Sequence, residues 1–554
     1  MSETPKSPHR HVGAAIAESL VAHDVRRVFS VPGESFLAVL DGLHDTDITN
    51  VVTRHEGGAA YMAEAHGKLT GRPGVALVTR GPGAANAFVA VHTAWQDGTP
   101  MVLFVGLVPV SDRGRESFQE FDTQAWFGTQ TKRVLTVEDP ARASDVVAEA
   151  FFAASSGRPG PVIVGLPEDV IRAPFDRPIT APLPVAEGGL SHTDVDEISR
   201  ALSGAERPLL YLGGPRWTPE ASARTARFAE EHGIPVVHEW RATDRIPYSS
   251  PVNAGWLGYG RAETPAQMFE EADVVLAVGA VPSDVPTDGY TLRQRPEATT
   301  IIVAADPALQ GLSGPVTRHV LASPTAFGEA LDELTIVPAA DWEPWCRRGV
   351  EAHRRSSVPT SRDRLPEIAR GTAHMAVVME ELRSRLPEDV LTTFGAGNHC
   401  VWAQYHMPTE VHPAQLSTRN GSMGYSVPAA VAAALEHPDR FVVAVTGDGE
   451  FLMNGQELAT AAQFGAAFLV IIVDNGEYGT IRAHQERDYP DRISGTQIAN
   501  PDFAAYGQAF GGRAELIADD ADAAGAVERA VRTVTEERRT AVLHVLIDQS
   551  MSTP

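Results

Sequence analysis

Cysteine is nearly absent from this chain. Cys346 and Cys400 are the only two in 554 residues, too few and too far apart for a disulfide scaffold or a metal site, and both read as ordinary thiols. Positive charge is also short: 46 Lys and Arg stand against 71 Asp and Glu, a net charge of −25, which argues against nucleic acid or an anionic membrane as a main partner. The acidity is dispersed, as on a solvated surface. No apolar run approaches the roughly 20 residues that span a bilayer, and Met1 to Arg10 lacks the apolar stretch of a secretory signal. A cytoplasmic location with no membrane partner is expected. What is plentiful is apolar bulk: 43% hydrophobic residues over this length fill several cores, about three or four domains' worth.

Along the chain, helical patterns such as Val12 to His23 alternate with short buried runs, the sign of parallel α/β sheets. Residues 1–172 form the first such segment, with strands expected at Val75–Thr79, Met101–Gly106 and Val162–Leu166. A Pro-rich linker from Ala173 to Val185 follows. Residues 190–337 form the second, with strands at Pro208–Leu212, Val274–Val278 and Thr300–Ala304. The polar stretch Ala339 to Arg364 reads as a second linker, and residues 365–547 form the third segment.

The chemistry is concentrated in that third segment. Gly447-Asp448-Gly449 ends the apolar run Phe441–Val445, and Asn475 ends the run Phe468–Val473, so both sit where the loops of a parallel sheet gather ligands. A carboxylate, an amide oxygen and one backbone carbonyl suit Mg²⁺, whose remaining oxygens come from a diphosphate. Gly449 and Glu450 lead into a helical stretch expected from Gly455 to Ala462, whose N-terminus favours an anion. Taken alone, Gly-Asp-Gly is also a common turn.

The spacing from Gly447 to Asn475 resembles the motif of thiamin-diphosphate-dependent enzymes, and over nearly the whole chain the pattern is similar to the acetolactate-synthase-like branch. The motif's usual Asn-Asn reads Asp474-Asn475, a departure at its first position. The resemblance implies α/β architecture with three doubly wound parallel-sheet domains: pyrimidine-binding, central nucleotide-fold-like, and diphosphate-binding. It implies Mg²⁺ held by Asp448, Asn475 and the backbone carbonyl of Glu477. It makes Glu56, in Arg54-His55-Glu56, the acid that hydrogen-bonds N1′ of the aminopyrimidine, with the small residues Gly57 to Ala60 favouring a protonated carboxyl. Gln119, in Ser117-Phe118-Gln119-Glu120, would point at the substrate carbonyl, or stand as an exposed residue at a helix start. Gly81 to Asn86 match the same branch and also read as a strand-to-helix turn. In Gly421-Ser422-Met423-Gly424, Met423 would bend the cofactor from below and Gly421 offer it a carbonyl. Pro32, Gly397, Asn398, Gly447, Gly449, Glu450 and Tyr478 complete the cofactor surroundings.

Departures bear on the substrate. Glu34, in Val31-Pro32-Gly33-Glu34-Ser35, stands where acetolactate synthases carry a small residue and pyruvate-decarboxylase-like enzymes an acid; it reads as a proton relay or as a helix N-terminal acid. His484 replaces the Trp that selects the acceptor, and Arg482 with His484 reads as a carboxylate site or a solvated helix face. After Ala277-Val278-Gly279-Ala280 the flavin-associated stretch is missing, so FAD is not expected. The resemblance implies carboligation of a 2-oxo acid with a carbonyl acceptor, with non-oxidative decarboxylation, lyase activity or a catalytically silent binding protein as alternatives. It also implies a homodimer or homotetramer.

Overall fold

The structure, a computed structural model, describes residues 10–309, 311–407, 409–551 and 553–554. Its strands form three six-stranded sheets, parallel throughout. The first holds β1 (Arg27–Ser30), β2 (Thr49–Val52), β3 (Gly74–Val78), β4 (Met101–Leu107), β5 (Arg133–Thr136) and β6 (Pro161–Pro167), in the order 2-1-3-4-6-5. The second holds β7 (Pro208–Leu212), β8 (Val236–Glu239), β9 (Asn253–Leu257), β10 (Val274–Val278), β11 (Thr299–Ala304) and β12 (Arg318–Leu321), ordered 12-11-10-7-8-9. The third holds β13 (Leu391–Phe394), β14 (Gln415–Ser417), β15 (Val442–Gly447), β16 (Leu469–Asp474), β17 (Arg513–Ile517) and β18 (Ala541–Leu546), ordered 14-13-15-16-18-17. The three sheets with interleaved helices are the α/β architecture expected.

The first and third sheets share one order, counted from their own first strands. The second has the order of a dinucleotide-binding sheet. Each has a reversal of winding near its middle, between β1 and β3, between β7 and β10, and between β13 and β15. Loops diverge there and leave a crevice at the carboxyl ends of the strands. The residues expected to carry function lie on these loops and on the neighbouring ones at the same carboxyl ends.

The chain divides into two compact units, residues 1–186 and 187–554. In the first, β3, β4 and β6 are buried along their whole length, which is why they read as continuous apolar runs. In the second, β7 and β10 are buried likewise in the central sheet, and β16 in the third. Two expectations need correction. The stretch 339–364 holds a fourteen-residue helix, Glu343–Ser356, rather than a plain linker. Its buried Trp345, Cys346, Gly349, Val350 and His353 recur at helical spacing, and the Trp345 indole donates to the Pro208 carbonyl at 2.8 Å. The many charges that make the stretch look like a linker occupy the opposite face. The helix N-terminus next to the GDG motif is that of an additional helix, Asp448–Asn454, while the stretch expected to be helical follows it as a 3₁₀ turn, Gly455–Glu457, and a helix, Leu458–Phe464. No helix among the described residues is long and apolar enough to cross a membrane.

Candidate active site

At the switch point of the third sheet, the loops after β13 and β15 border a cavity of about 260 Å³. Gly397, Asn398, Gly421, Met423, Gly447, Asp448, Gly449, Glu450, Asn475, Glu477 and Tyr478 all line it. The glycines there are spatial requirements. A Cβ on Gly449 would lie 2.6 Å from the Tyr478 ring, and one on Gly397 or Gly447 would lie 2.8 or 2.9 Å from the His399 imidazole. Gly397 also has φ +142°, a conformation that side chains avoid.

Oxygen donors gather around Asp448, one of the lining residues. Asp448 accepts from the Gly449 N–H at 2.9 Å and, on its other oxygen, from the Gly476 N–H at 3.0 Å and the Asn500 amide at 2.7 Å. The same Asn500 amide reaches Asp474 at 2.8 Å, so one donor holds two buried carboxylates together. Burial, with Asp474 adding its charge, pushes the Asp448 carboxyl up to about 6. Asp474 is buried too, yet His544 at 2.8 Å, Asn500 and the Gly476 N–H hold it below the usual range. The Asn475 side-chain Oδ1 accepts from the Glu477 N–H at 3.2 Å, and the buried Asn500 Oδ1 has no hydrogen-bond partner. Two carboxylates and an unpartnered amide oxygen beside Asn475 are a donor set short of positive charge, and it fits a hard divalent cation.

Sequence reasoning missed Asn500 and His544, which lie far along the chain from the motif. It also missed His399. That buried ring is 2.8 Å from Glu450 and 3.4 Å from the Cys400 sulfur; burial works against its charge, but these partners raise it to about 10. The ring also lines the cavity. Glu477 is buried with its carboxylate on Arg482 at 2.8 Å, so Arg482 is turned back onto the motif. The helix Gly479–Asp488 has no buried residue, and His484 on it is exposed. Arg482 and His484 are thus not brought together on one ligand.

In the first unit, the loops after β1, β2, β3 and β4 carry the other named residues. Glu56 opens the helix Glu56–Thr70, capped by His55, and is half-buried; Asn86 donates to its Oε2 at 2.9 Å. Pro32 is exposed, two residues before Glu34. Glu34 begins a short 3₁₀ turn and pairs with Arg80 at 2.8 Å. Gln119 lies in a turn with φ +61°, not at a helix start, and its carbonyl oxygen would be 3.0 Å from a Cβ on Gly81. The turn is stapled by the Glu120 carboxylate, which accepts from the N–H groups of Gly114 and Ser117.

Three family matches follow one another along the chain. Residues 10–126 match the thiamine pyrophosphate enzyme N-terminal TPP binding domain, residues 195–334 the central domain, and residues 395–545 the C-terminal TPP binding domain. The acetolactate synthase large subunit of Parasynechococcus marenigrum is 32% identical over 514 residues, covering 90% of this chain and 82% of that protein. Acetolactate synthase isozyme 2 large subunit of Escherichia coli is 30% identical over 538 residues, covering 96% and 95%. The probable acetolactate synthase large subunit of Methanocaldococcus jannaschii is 30% identical over 524 residues, covering 91% and 87%. Matched along all three sheets and over nearly the full length of such relatives, the chain belongs to the thiamin-diphosphate-dependent enzymes, among their acetolactate-synthase-like members.

Proposed function

We propose that this protein is a thiamin-diphosphate- and Mg²⁺-dependent carboligase that joins a 2-oxo acid, with loss of carbon dioxide, to a carbonyl acceptor. The observation that carries the reading is the oxygen cluster around Asp448, which lines the 260 Å³ cavity and shares the Asn500 amide with the buried Asp474. Asp448, the Asn475 side chain and the Glu477 carbonyl would hold Mg²⁺. His399 adds positive charge for a diphosphate, and Gly397, Asn398, Gly447, Gly449, Glu450 and Tyr478 shape the space around it. Thiamin diphosphate, when bound, supplies a nucleophilic thiazolium carbon and an electron sink for decarboxylation.

The remaining roles are proton handling and orientation. Glu56, oriented by Asn86, holds the proton at N1′ of the aminopyrimidine. Gln119 orients the substrate carbonyl, Glu34 moves a proton at the substrate, and Pro32 borders the ring. Met423 and the Gly421 carbonyl support the cofactor from the third sheet. The acid at position 34, held by Arg80, favours decarboxylase or lyase activity as a second reading. Carbon dioxide release from a panel of 2-oxo acids, with and without an aldehyde or ketone acceptor and beside Glu56→Gln, tests the assignment. Release must fall at least about 100-fold in Glu56→Gln; release independent of Glu56, or none with cofactor bound, overturns it.

The finer attributes are proposals as well. The proposed domain limits are 1–172, 190–337 and 365–547; the family matches at residues 10–126, 195–334 and 395–545 fall inside them, and the helix Glu343–Ser356 packs on the second. A homodimer or homotetramer is supported by large apolar residues left exposed in the first unit, among them Phe118 and Trp126. The cytoplasm is the proposed location. We also propose that no flavin is held. At the switch point of the central sheet the Glu239 carboxylate accepts from the Gly214 N–H at 3.2 Å, the place a dinucleotide's phosphates would need, and a stoichiometric flavin absorbance in purified protein would refute this.

A further inference from the structure

The switch point of the first sheet is organised around Arg80, the residue that links β3 to its loop. Its guanidinium reaches in three directions. One terminal nitrogen donates to Glu34 Oε1 at 2.8 Å, the other to Glu168 Oε2 at 3.4 Å, and Nε donates to the Phe118 carbonyl at 3.3 Å. A planar fork with fixed donors can hold three acceptors at once, which a lysine cannot. Arg80 is only 7% exposed, whereas the Glu34 side chain is 67% exposed. The cation is thus the fixed partner. A carboxylate so open to water would otherwise spread over several rotamers.

The anchor is itself anchored. Glu168 opens the helix Glu168–Arg172 after β6 and takes a second ion pair from Arg172. Beside it, the Thr79 and Ser35 hydroxyls are hydrogen-bonded at 2.9 Å, tying the loop after β3 to the loop after β1 next to Glu34. The Phe118 carbonyl belongs to the peptide that leads into Gln119, whose φ of +61° is uncommon for a residue with a side chain. One guanidinium therefore fixes the two segments that carry Glu34 and Gln119.

We propose that Arg80 is a positioning residue for the carboligation, acting by holding Glu34 at the substrate and securing the turn of Gln119; this rests on the roles given to Glu34 and Gln119 above. A structural ion pair of ordinary kind would contribute little and would act independently of Glu34. A double-mutant cycle separates the two. Full-length protein loaded with Mg²⁺ and thiamin diphosphate is assayed for carbon dioxide release and product identity as wild type, Arg80→Met, Glu34→Gln and the double variant, with Arg80→Lys as the conservative change. The expected result is a loss of about 10- to 100-fold in kcat for Arg80→Met, at unchanged cofactor Kd. The double variant should be no slower than the slower single one, and Arg80→Lys should recover part of the rate. If Glu34→Gln is slow but the Arg80→Met loss multiplies with it, or Arg80→Met and Arg80→Lys turn over like wild type, Arg80 has no such role while Glu34 keeps its own. If Glu34→Gln turns over like wild type, the role of Glu34 fails and the proposal falls with it.

Discussion

Replacing Asp448 by an amide should stabilise the cofactor-free protein near neutrality while removing its response to metal and cofactor. Burial and the neighbouring Asp474 push the Asp448 carboxyl from its ordinary 3.8 up to about 6. A rise of about two pH units corresponds to about 3 kcal/mol at most, some of it shared with Asp474. The sign follows from linkage. A carboxyl whose folded pKa lies above its unfolded one contributes fully below the unfolded value, and that contribution is lost as pH rises through about 6. An amide in its place has no such loss, but it forfeits a bond. Asp448 accepts from the N–H groups of Gly449 and Gly476 and from the Asn500 amide, and an amide nitrogen cannot accept, so about 1 kcal/mol is given up. Asp448→Asn should therefore be the less stable protein near pH 4 and the more stable near pH 7, by about 1–2 kcal/mol. Denaturant unfolding in chelator across pH 4–8 checks this. Mg²⁺ and thiamin diphosphate at about 100 times Kd should then stabilise wild type by about 2.7 kcal/mol and Asp448→Asn negligibly. An equal destabilisation at both pH values, or an intact response to cofactor, would refute the account of this cluster.

Asn86→Ala should lower carbon dioxide release about 10-fold, because Glu56 loses the amide that orients it, with cofactor affinity little changed by isothermal titration. Gly449→Ala places a methyl group 2.6 Å from the Tyr478 ring; cofactor Kd should rise about 10-fold or more, while Gly465→Ala, where nothing lies within 4 Å of the new group, leaves it alone. Gly465 has φ +70°, so that control costs stability but not affinity, and thermal unfolding beside titration separates the two. Cys346 and Cys400 are both buried, and burial with the nearby Glu343 pushes the Cys346 thiol up to about 11. Native protein should not react rapidly with a thiol reagent at pH 8, and two thiols should appear on denaturation.

What the sequence made legible is what lies close together along it. The motif loops follow buried strands directly, so apolar runs located the ends of β15 and β16, and a short string of glycines with one Asp and one Asn located the cavity. Partners that arrive from elsewhere left no local mark. Asn86 comes to Glu56 from the following helix, beyond an intervening strand, Arg80 to Glu34 across the first sheet's reversal, and Asn500 to Asp448 from 52 residues on. Asp474 illustrates the limit. As a departure from the family's Asn it was visible at once, but its consequence was not. The compensation comes from β18, where His544 is in register with Ile472. Two residues further along β16, on the same face by the pleat, stands Asp474, and the imidazole reaches its Oδ2 at 2.8 Å. The second carboxylate in this buried cluster is thus matched by a histidine 70 positions away, a pairing set by strand order and register, which no single stretch of sequence contains.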